Sequence, residues 1–484
     1  MTQEQIVDNI ILNELENKFP GSKEKILSKT NKESRRVAIL SIMDDDRRLF
    51  EQYKNVIKSE NYCSHYAEDT VQILRNYIKV ADTEVKEHGE VMTPITLVEE
   101  MLDKIPNEVW SNPNLKWLDP CNGVGTFPSI VVKRLMDGLK DIIEDECERY
   151  RHIIENMIYV CEIQSKNMFL FHCAFDREDD YELNTYYGSF LENEFEKHMT
   201  KVWGLKGFDI IIGNPPYNRP GTSNSGNTIW PKFVDKMVSL LSDNGYMCVV
   251  HPSLWRRPQH KTWNLLTQFQ ITHLDIHDTQ DGLRVFGAGT RYDWYVLNKT
   301  PIHSNTNVRF EDGVEMEINF SGRNFLPNKN VLNIDTFTNG DELCRIIHSR
   351  SDYAVDKSWV GKEQNDEYQY PLINSIHSNG DVIYRYSSIN TNGHFGIPKI
   401  IISDSTSQIY NDFEGQYGLT SHCMGICVDD VNEGFLIEKA LKSFKFQQVT
   451  DSIKWSNYWV DPRFFKYLNR DFYRHFVDEE GNEI

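Results

Sequence analysis

Phe208-Asp209-Ile210-Ile211-Ile212-Gly213-Asn214-Pro215-Pro216-Tyr217-Asn218 joins an apolar run to a rigid polar turn. The run, carried by Phe208, Ile210, Ile211 and Ile212, is short and almost continuously apolar, the pattern of a strand in a parallel sheet covered on both faces. The turn must leave that sheet. Its two prolines fix φ at successive positions and remove two N–H donors, so its carbonyls are not all used up locally and acceptors point outward. Asn214 adds a side-chain carbonyl beside the main-chain carbonyl of Pro215, and Tyr217 adds a flat aromatic face. Two acceptors and a stacking ring suit a planar –NH2 group.

The lone pair of an exocyclic amine on an aromatic base is delocalised into the ring, which makes the amine a poor nucleophile. Acceptors on both of its N–H bonds favour a pyramidal nitrogen with the lone pair out of the ring plane. With a methyl sulfonium in line, the turn then has to supply orientation and dipoles aimed at the developing charge, and no side-chain base is obligatory. Taken alone, Asn-Pro-Pro-Tyr is equally an ordinary stiff loop, because Asn-Pro starts turns. The rest of the chain decides between the two.

The 484 residues leave room for about two or three domains. There is no apolar run of about 18 residues and no signal pattern at Met1-Thr2-Gln3-Glu4-Gln5, so a cytoplasmic protein without a membrane span is expected. Nine scattered cysteines agree with a reducing compartment. His422, Cys423 and Cys427 lack the second ligand pair of a zinc site, and no metal is expected. A net charge of −20 argues against a generic polyanion binder, so a nucleic-acid enzyme of this composition must gather its basic residues on one surface. The candidates are Lys23 to Arg48, the stretch Arg256 to Lys261, and the series Lys442, Lys445, Lys454, Arg463, Lys466, Arg470, Arg474. Any one of them is equally a solvated helix face.

Residues 1–84 read as a helical region, with Ile6, Ile10, Ile11, Leu15 and Phe19, then Val71, Leu74 and Ile78, at helical spacing. Asp82 and Glu84-Val85-Lys86 match the elements of a metal-dependent nuclease only superficially, and no endonuclease is expected there. Glu87 to Pro94 reads as a turn, and Ile95 to Ile105 as an amphipathic helix capped near Thr93 or Thr96. Trp117-Leu118-Asp119-Pro120-Cys121-Asn122-Gly123-Val124-Gly125-Thr126-Phe127 is a strand, glycine turn and helix, the first βα unit of a nucleotide-binding α/β domain. Its two glycines allow close backbone approach to a ligand, although the spacing is not the dinucleotide fingerprint.

Met157 to Glu162 is an apolar strand ending in an acid, the position from which ribose hydroxyls are held in such folds. Asp141 to Glu148 reads as a covering helix. Arg219 to Thr228 has almost nothing to bury and is expected to be mobile until a substrate arrives. Ile229 to Leu241 reads as a helix, Tyr246 to Val250 as a strand, and Arg284 to Gly289 leads into a further strand at Trp294 to Leu297. The catalytic domain is expected to close near Thr300. Residues 301–484 mix aromatics with Asn, Ser, Lys and Arg, with short β-like runs such as Ile397 to Ile402 and no repeats.

From about Glu87 to Lys299 the ordered set resembles the gamma class of amino-methyltransferases, the DNA adenine methyltransferases of restriction–modification systems. The resemblance implies an α/β, Rossmann-like, seven-stranded methyltransferase domain over 85–300, with S-adenosylmethionine as donor, between the helical region 1–84 and an α+β target-recognition domain over 301–484. It places Thr93 and the glycine turn, with Asp119, Pro120, Asn122, Gly123 and Gly125, around the methionine moiety. Glu162 falls on the ribose and Phe190 against the cofactor adenine. It puts Asn214, Pro215, Pro216 and Tyr217 on the target amine, with Phe286 on the other face of the base. Asn214 serves the cofactor side as well. The partner implied is double-stranded DNA, with the target adenine flipped out of the duplex and with a cognate restriction endonuclease as a further partner; the cell is prokaryotic or phage-infected. One departure stands at Gly188-Ser189-Phe190-Leu191, where the family commonly has an acid beside the phenylalanine. Ser189 can hydrogen-bond the cofactor adenine's amine, but not as a charged acceptor.

Protein glutamine methyltransferases of the same fold also carry Asn-Pro-Pro-Tyr, since a glutamine amide is likewise a planar –NH2. They are more compact and lack both the Thr93-Pro94 segment and a long recognition region. A ribosomal RNA methyltransferase is the next alternative, and a DNA-binding protein without activity the last. Transfer to cytosine N4 is chemically open to the same pocket, and Asn214 favours adenine by analogy.

Overall fold

The apolar run at 208–213 is one strand of a nine-stranded sheet. In chain order the strands are β1 (Trp117–Asp119), β2 (Ile158–Glu162), β3 (Asn184–Tyr187), β4 (Phe208–Gly213), β5 (Leu241–Pro252), β6 (Gln270–His277), β7 (Tyr292–Asn298), β8 (Thr306–Arg309) and β9 (Glu315–Ile318). In space they run β3-β2-β1-β4-β5-β7-β6-β8-β9. The computed structural model of the chain describes residues 2–29, 32–43, 71–72, 92–176, 180–219, 228–406, 408–455 and 461–484. The nuclease-like residues 82–86, the turn at 87–91 and most of the loop 219–228 lie outside them.

Strands β3, β2, β1, β4 and β5 are all parallel to one another, while β7 pairs antiparallel with both β5 and β6. These seven strands are the methyltransferase sheet that the resemblance implies. Parallel strands with helices on both faces are buried on both sides, which is why β2 is buried at every position; the antiparallel β7, interior to the same sheet, is also buried throughout. The parallel order also brings the carboxyl ends of β1, β2 and β4 to one edge, where Asp119, Glu162 and Gly213 stand. That edge is where ligands bind in open α/β sheets.

Two expected boundaries move. The sheet does not stop at Thr300: β8 runs parallel to β6, β9 turns back on β8, and the first compact unit takes in 265–309 and 315–321 as well as the chain up to 252. Residues 2–29 and 32–43 do not stand apart either. Helix Gln3–Lys18, closed by a capping box of Thr2 and Gln5, buries Val7, Ile11, Leu12 and Leu15 in the same core as the sheet. Arg36, 2% exposed, ion-pairs with Glu4 and donates to the Asp176 carbonyl. The helical periodicity of this region was legible, but its docking partners were not.

The second unit comprises 253–264, 310–314 and 322–484. It holds two four-stranded sheets: Ile346–Ile347, Cys423–Cys427, Lys399–Ser403 and Ile409–Asp412 in one, and Val360–Gly361, Val382–Ser387, Tyr370–Ile376 and Gly418–Leu419 in the other. Helices Val431–Lys442 and Phe444–Ser452 bury Ile437, Leu441, Phe446 and Val449 with Ile400, Ile402 and Ile426 of the first sheet.

Several basic residues expected on a surface have other work here. Arg256 is fully buried, and its guanidinium donates to the carbonyls of Leu326 and Pro327 at 3.0 and 3.1 Å and to Asn328 Oδ1 at 2.8 Å. Lys454, Arg463 and Arg470 are ion-paired with Asp451, Asp461 and Glu433, and Lys442 with Glu438.

Candidate active site

After Gly213 the chain leaves β4 with Pro215 buried and Asn214 half-buried. Asn214 Nδ2 donates to Thr93 Oγ1 at 3.1 Å, while Asn214 Oδ1 is buried with no partner. The Tyr217 main-chain carbonyl accepts from Ile229 N at 3.0 Å, and among the described residues no donor reaches the carbonyl of Pro215. The turn therefore presents the two free acceptors that its sequence predicts. The Tyr217 hydroxyl is buried and without a hydrogen-bond partner. Burial, and then the proximity of Tyr292 and Asp293, raises its pKa and keeps it a neutral phenol.

Thr93 differs from expectation. Helix Ile95–Leu102 begins with Pro94 at its N-cap and has no side-chain cap. The Thr93 hydroxyl, on a residue 5% exposed, is spent on Asn214 instead.

At the end of β1 the Asp119 carboxylate is buried. Its Oδ1 accepts from Cys121 N at 3.0 Å, and its Oδ2 has no partner. Burial pushes its pKa up to about 7. Asn122 is also buried; its Nδ2 donates to the Gly123 carbonyl at 3.0 Å and its Oδ1 is unpartnered. Glu162 braces the glycine turn from β2: Oε2 accepts from Gly123 N at 2.8 Å and Oε1 from Gln164 N at 2.7 Å. Pro120 is buried beneath the turn and Ser189 is half-buried. Immediately after Glu162, Ile163 is 56% exposed, an apolar side chain beside the acid that ends β2. A single exposed Ile following a strand gives no signal in the sequence.

The two aromatics assigned to the cofactor and the target base pack against other rings, Phe190 buried and Phe286 half-buried. Phe190 is 2% exposed, edge-on to Phe195 at 4.9 Å and stacked with Phe233 at 5.6 Å. Phe286, the last residue of helix Thr279–Phe286, lies edge-on to Tyr292 at 4.8 Å. Tyr292 stacks on His277 at 4.4 Å with the rings 4° from parallel. Sequence reading missed Tyr292 and His277, which belong to β7 and to the unrecognised β6.

Four buried polar atoms without partners, Asp119 Oδ2, Asn122 Oδ1, Asn214 Oδ1 and the Tyr217 hydroxyl, thus stand on the loops after β1 and β4. Buried polar groups are normally paired; unpartnered buried atoms occur elsewhere among the described residues too, and these four share the carboxyl edge of the sheet.

Residues 134–286 match the family model of the Eco57I restriction-modification methylase, a span that begins within the helix Thr126–Gly138, after β1 and the glycine turn, and runs through β4 and its turn to Phe286. An uncharacterized adenine-specific methylase of Mycoplasma pneumoniae is 28% identical over 240 aligned positions, covering 35% of this chain and 56% of the relative. The chain thus spans about half the length of this relative. Among solved structures, the DNA-bound ATP-dependent Type ISP restriction-modification enzyme LlaBIII superposes with a TM-score of 0.50 at 12% identity, over 96% of this chain and 44% of that one. The resemblance drawn from the ordered motifs is borne out: across residues 134–286 this chain is similar to restriction-modification methylases, and its sheet has the methyltransferase fold.

Proposed function

We propose that this chain is a site-specific DNA methyltransferase that moves a methyl group from S-adenosylmethionine to N6 of an adenine flipped out of the duplex. The observation that carries the reading is the pair of free acceptors on the turn after β4, Asn214 Oδ1 and the Pro215 carbonyl, beside the ring of Tyr217. Asn214 and Pro215 hold the two N–H bonds of the target amine, and Tyr217 stacks on the base. The residues after β1 and β2 fit the cofactor. Asp119 offers an unpaired buried oxygen to a cationic group, the Glu162 carboxylate at the end of β2 is placed to accept from ribose hydroxyls, and Ile163 offers an apolar surface to a base. When bound, S-adenosylmethionine supplies an electrophilic methyl on a sulfonium.

The second unit is assigned to recognition of the DNA sequence, which separates this reading from a compact glutamine methyltransferase. Arg345 and Arg350 are exposed and Lys466 half-buried, and none forms an ion pair among the described residues. Arg350 and Lys466 both bear on His348, which burial, and then these two cations, push down to about 4. Such residues suit phosphate contacts. Double-stranded DNA is then the substrate, and a cognate restriction endonuclease is the further partner that the restriction-modification likeness implies. Incubation with methyl-labelled S-adenosylmethionine and duplex DNA, ribosomal RNA or protein in parallel tests the substrate class. Label is expected in DNA alone.

Two expected outcomes concern the cofactor. Glu162→Ala removes both the ribose acceptor and the brace on Gly123, so calorimetry with S-adenosylmethionine should show binding weaker by about 1.5–3 kcal/mol. Unchanged affinity would remove Glu162 from the site. Asp119 in the free protein has a pKa of about 7, above its unfolded value, so the folded state holds the extra proton between these values. The stability Asp119 contributes is therefore greatest at low pH and is lost as pH rises from about 4 to 7. A cationic ligand prefers the ionised form, so cofactor affinity should rise with pH up to and through about 7, with proton release on binding below it. In Asp119→Asn the step should vanish and affinity stay low; a wild-type-like pH profile in that variant would sink the assignment.

A further inference from the structure

The Asn214 amide is nearly symmetric in shape, but its two ends have opposite hydrogen-bonding character. With Oδ1 toward the target it accepts from the amine. Turned over, it would set one –NH2 group against another. Gly213, Pro215 and Pro216 offer no side-chain polar group to choose between these states, and the partner of the amide is Thr93 Oγ1, at 3.1 Å from Nδ2.

We propose that Thr93 is a positioning residue for methyl transfer, whose hydroxyl oxygen accepts from Asn214 Nδ2 and so keeps Oδ1 turned toward the target amine. The proposal rests on the reading of Asn214 given above. Thr93 comes from a different part of the chain, just before helix Ile95–Leu102, and is 5% exposed, so its bond to Asn214 is shielded from competing water. A hydroxyl can both donate and accept, so by itself it does not force one orientation. Among the described residues, however, the Thr93 hydroxyl makes no bond as donor, and Thr93 has no further partner. An anionic acceptor at the carboxyl edge of the sheet, such as the carboxylate of an amino-acid-bearing cofactor, takes that hydrogen. Once it does, the oxygen can only accept, and the Asn214 amide has one orientation left. Occupancy of the cofactor site and readiness of the amine site are coupled through a single hydroxyl.

Thr93→Val keeps the shape and removes the hydroxyl; Thr93→Ser keeps the hydroxyl. Both are compared with wild type and Asn214→Ala on a duplex that the wild type methylates. The readouts are single-turnover rate at cofactor and DNA concentrations that saturate each variant, calorimetric affinity for S-adenosylmethionine, 2-aminopurine fluorescence at the target position, and melting temperature. Thr93→Val is expected to lose about 10²-fold in saturated rate, as mispositioned reacting groups do, with flipping fluorescence and melting temperature close to wild type. Thr93→Ser is expected to return to within a few-fold of wild type. A Thr93→Val enzyme as fast as wild type at saturation overturns the proposal, because Thr93 then serves cofactor affinity alone. Val and Ser variants equally slow and equally low-melting also overturn it, in favour of a packing role. If Asn214→Ala itself transfers methyl at the wild-type rate, the reading of the amine site fails instead.

Discussion

Asn214→Ala is expected to slow saturated methyl transfer by about 10²–10³-fold, the loss seen when one preorganised dipole is removed from a developing charge. Asn214 Oδ1 is buried and unpartnered, so nothing in the chain competes for it before the substrate arrives and no reorganisation is needed when the nitrogen becomes pyramidal. Its interaction with the amine strengthens in the transition state, so the defect belongs in turnover, with DNA affinity and 2-aminopurine flipping close to wild type. Tyr217 behaves differently, because stacking is present before and during transfer; its removal should appear in flipping as well as rate. A rapid single-turnover reaction by Asn214→Ala would show that the turn after β4 is not the amine site.

Gly125→Ala is expected to be the most damaging small substitution in the glycine turn. Gly125 has φ of +96°, and a Cβ there would lie 2.6 Å from Phe175 Cε2 and 2.9 Å from Phe171 Cδ2. Those rings stack at 4.3 Å and are 1% and 2% exposed within the core of the first unit, so they have little room to retreat. Left-handed backbone costs about 1–2 kcal/mol for an L-residue, and overpacking adds about 1–3 kcal/mol. The sum is about 2–5 kcal/mol, to be read from the denaturant midpoint of the chain. Gly123, with φ of +55° and nothing within 4 Å of its Cβ position, should lose only the backbone part in Gly123→Ala. Equal midpoints for the two variants would contradict this division of labour, in which one glycine admits aromatic packing and the other only a turn.

These two glycines also show what the sequence reveals and what it conceals. The strand, glycine turn and helix at 117–138 were legible, because an apolar lead-in, Gly-x-Gly and a helical repeat are local features. So were β4 and its turn, and the acid closing β2. What pressed against Gly125 was not, since Phe171 and Phe175 belong to a helix about 40 residues further on.

β6 was missed because Gln270, His273, Asp275 and His277 interrupt its apolar pattern. Gln270, Asp275 and His277 are nonetheless accommodated inside, with Asp275 ion-paired to Arg309 of β8, while His273 is half-buried. Length hid the end of the first unit: β8 and β9 are four residues each and owe their place to pairing, β8 with β6 and β9 with β8. Thr93 looked like a helix cap by position. Its side chain instead meets Asn214, 121 residues away, a choice that only tertiary structure makes.

The central claim is transfer to the exocyclic amine of adenine in DNA, and the identity of the methylated nucleoside tests it most directly. Duplex DNA incubated with the wild-type chain and methyl-labelled S-adenosylmethionine is digested to nucleosides and resolved by mass spectrometry, with Asn214→Ala as control. The account predicts label in N6-methyl-2′-deoxyadenosine with wild type and almost none with Asn214→Ala. Label confined to N4-methyl-2′-deoxycytidine, or absent from DNA while ribosomal RNA or a protein glutamine is methylated, would contradict it.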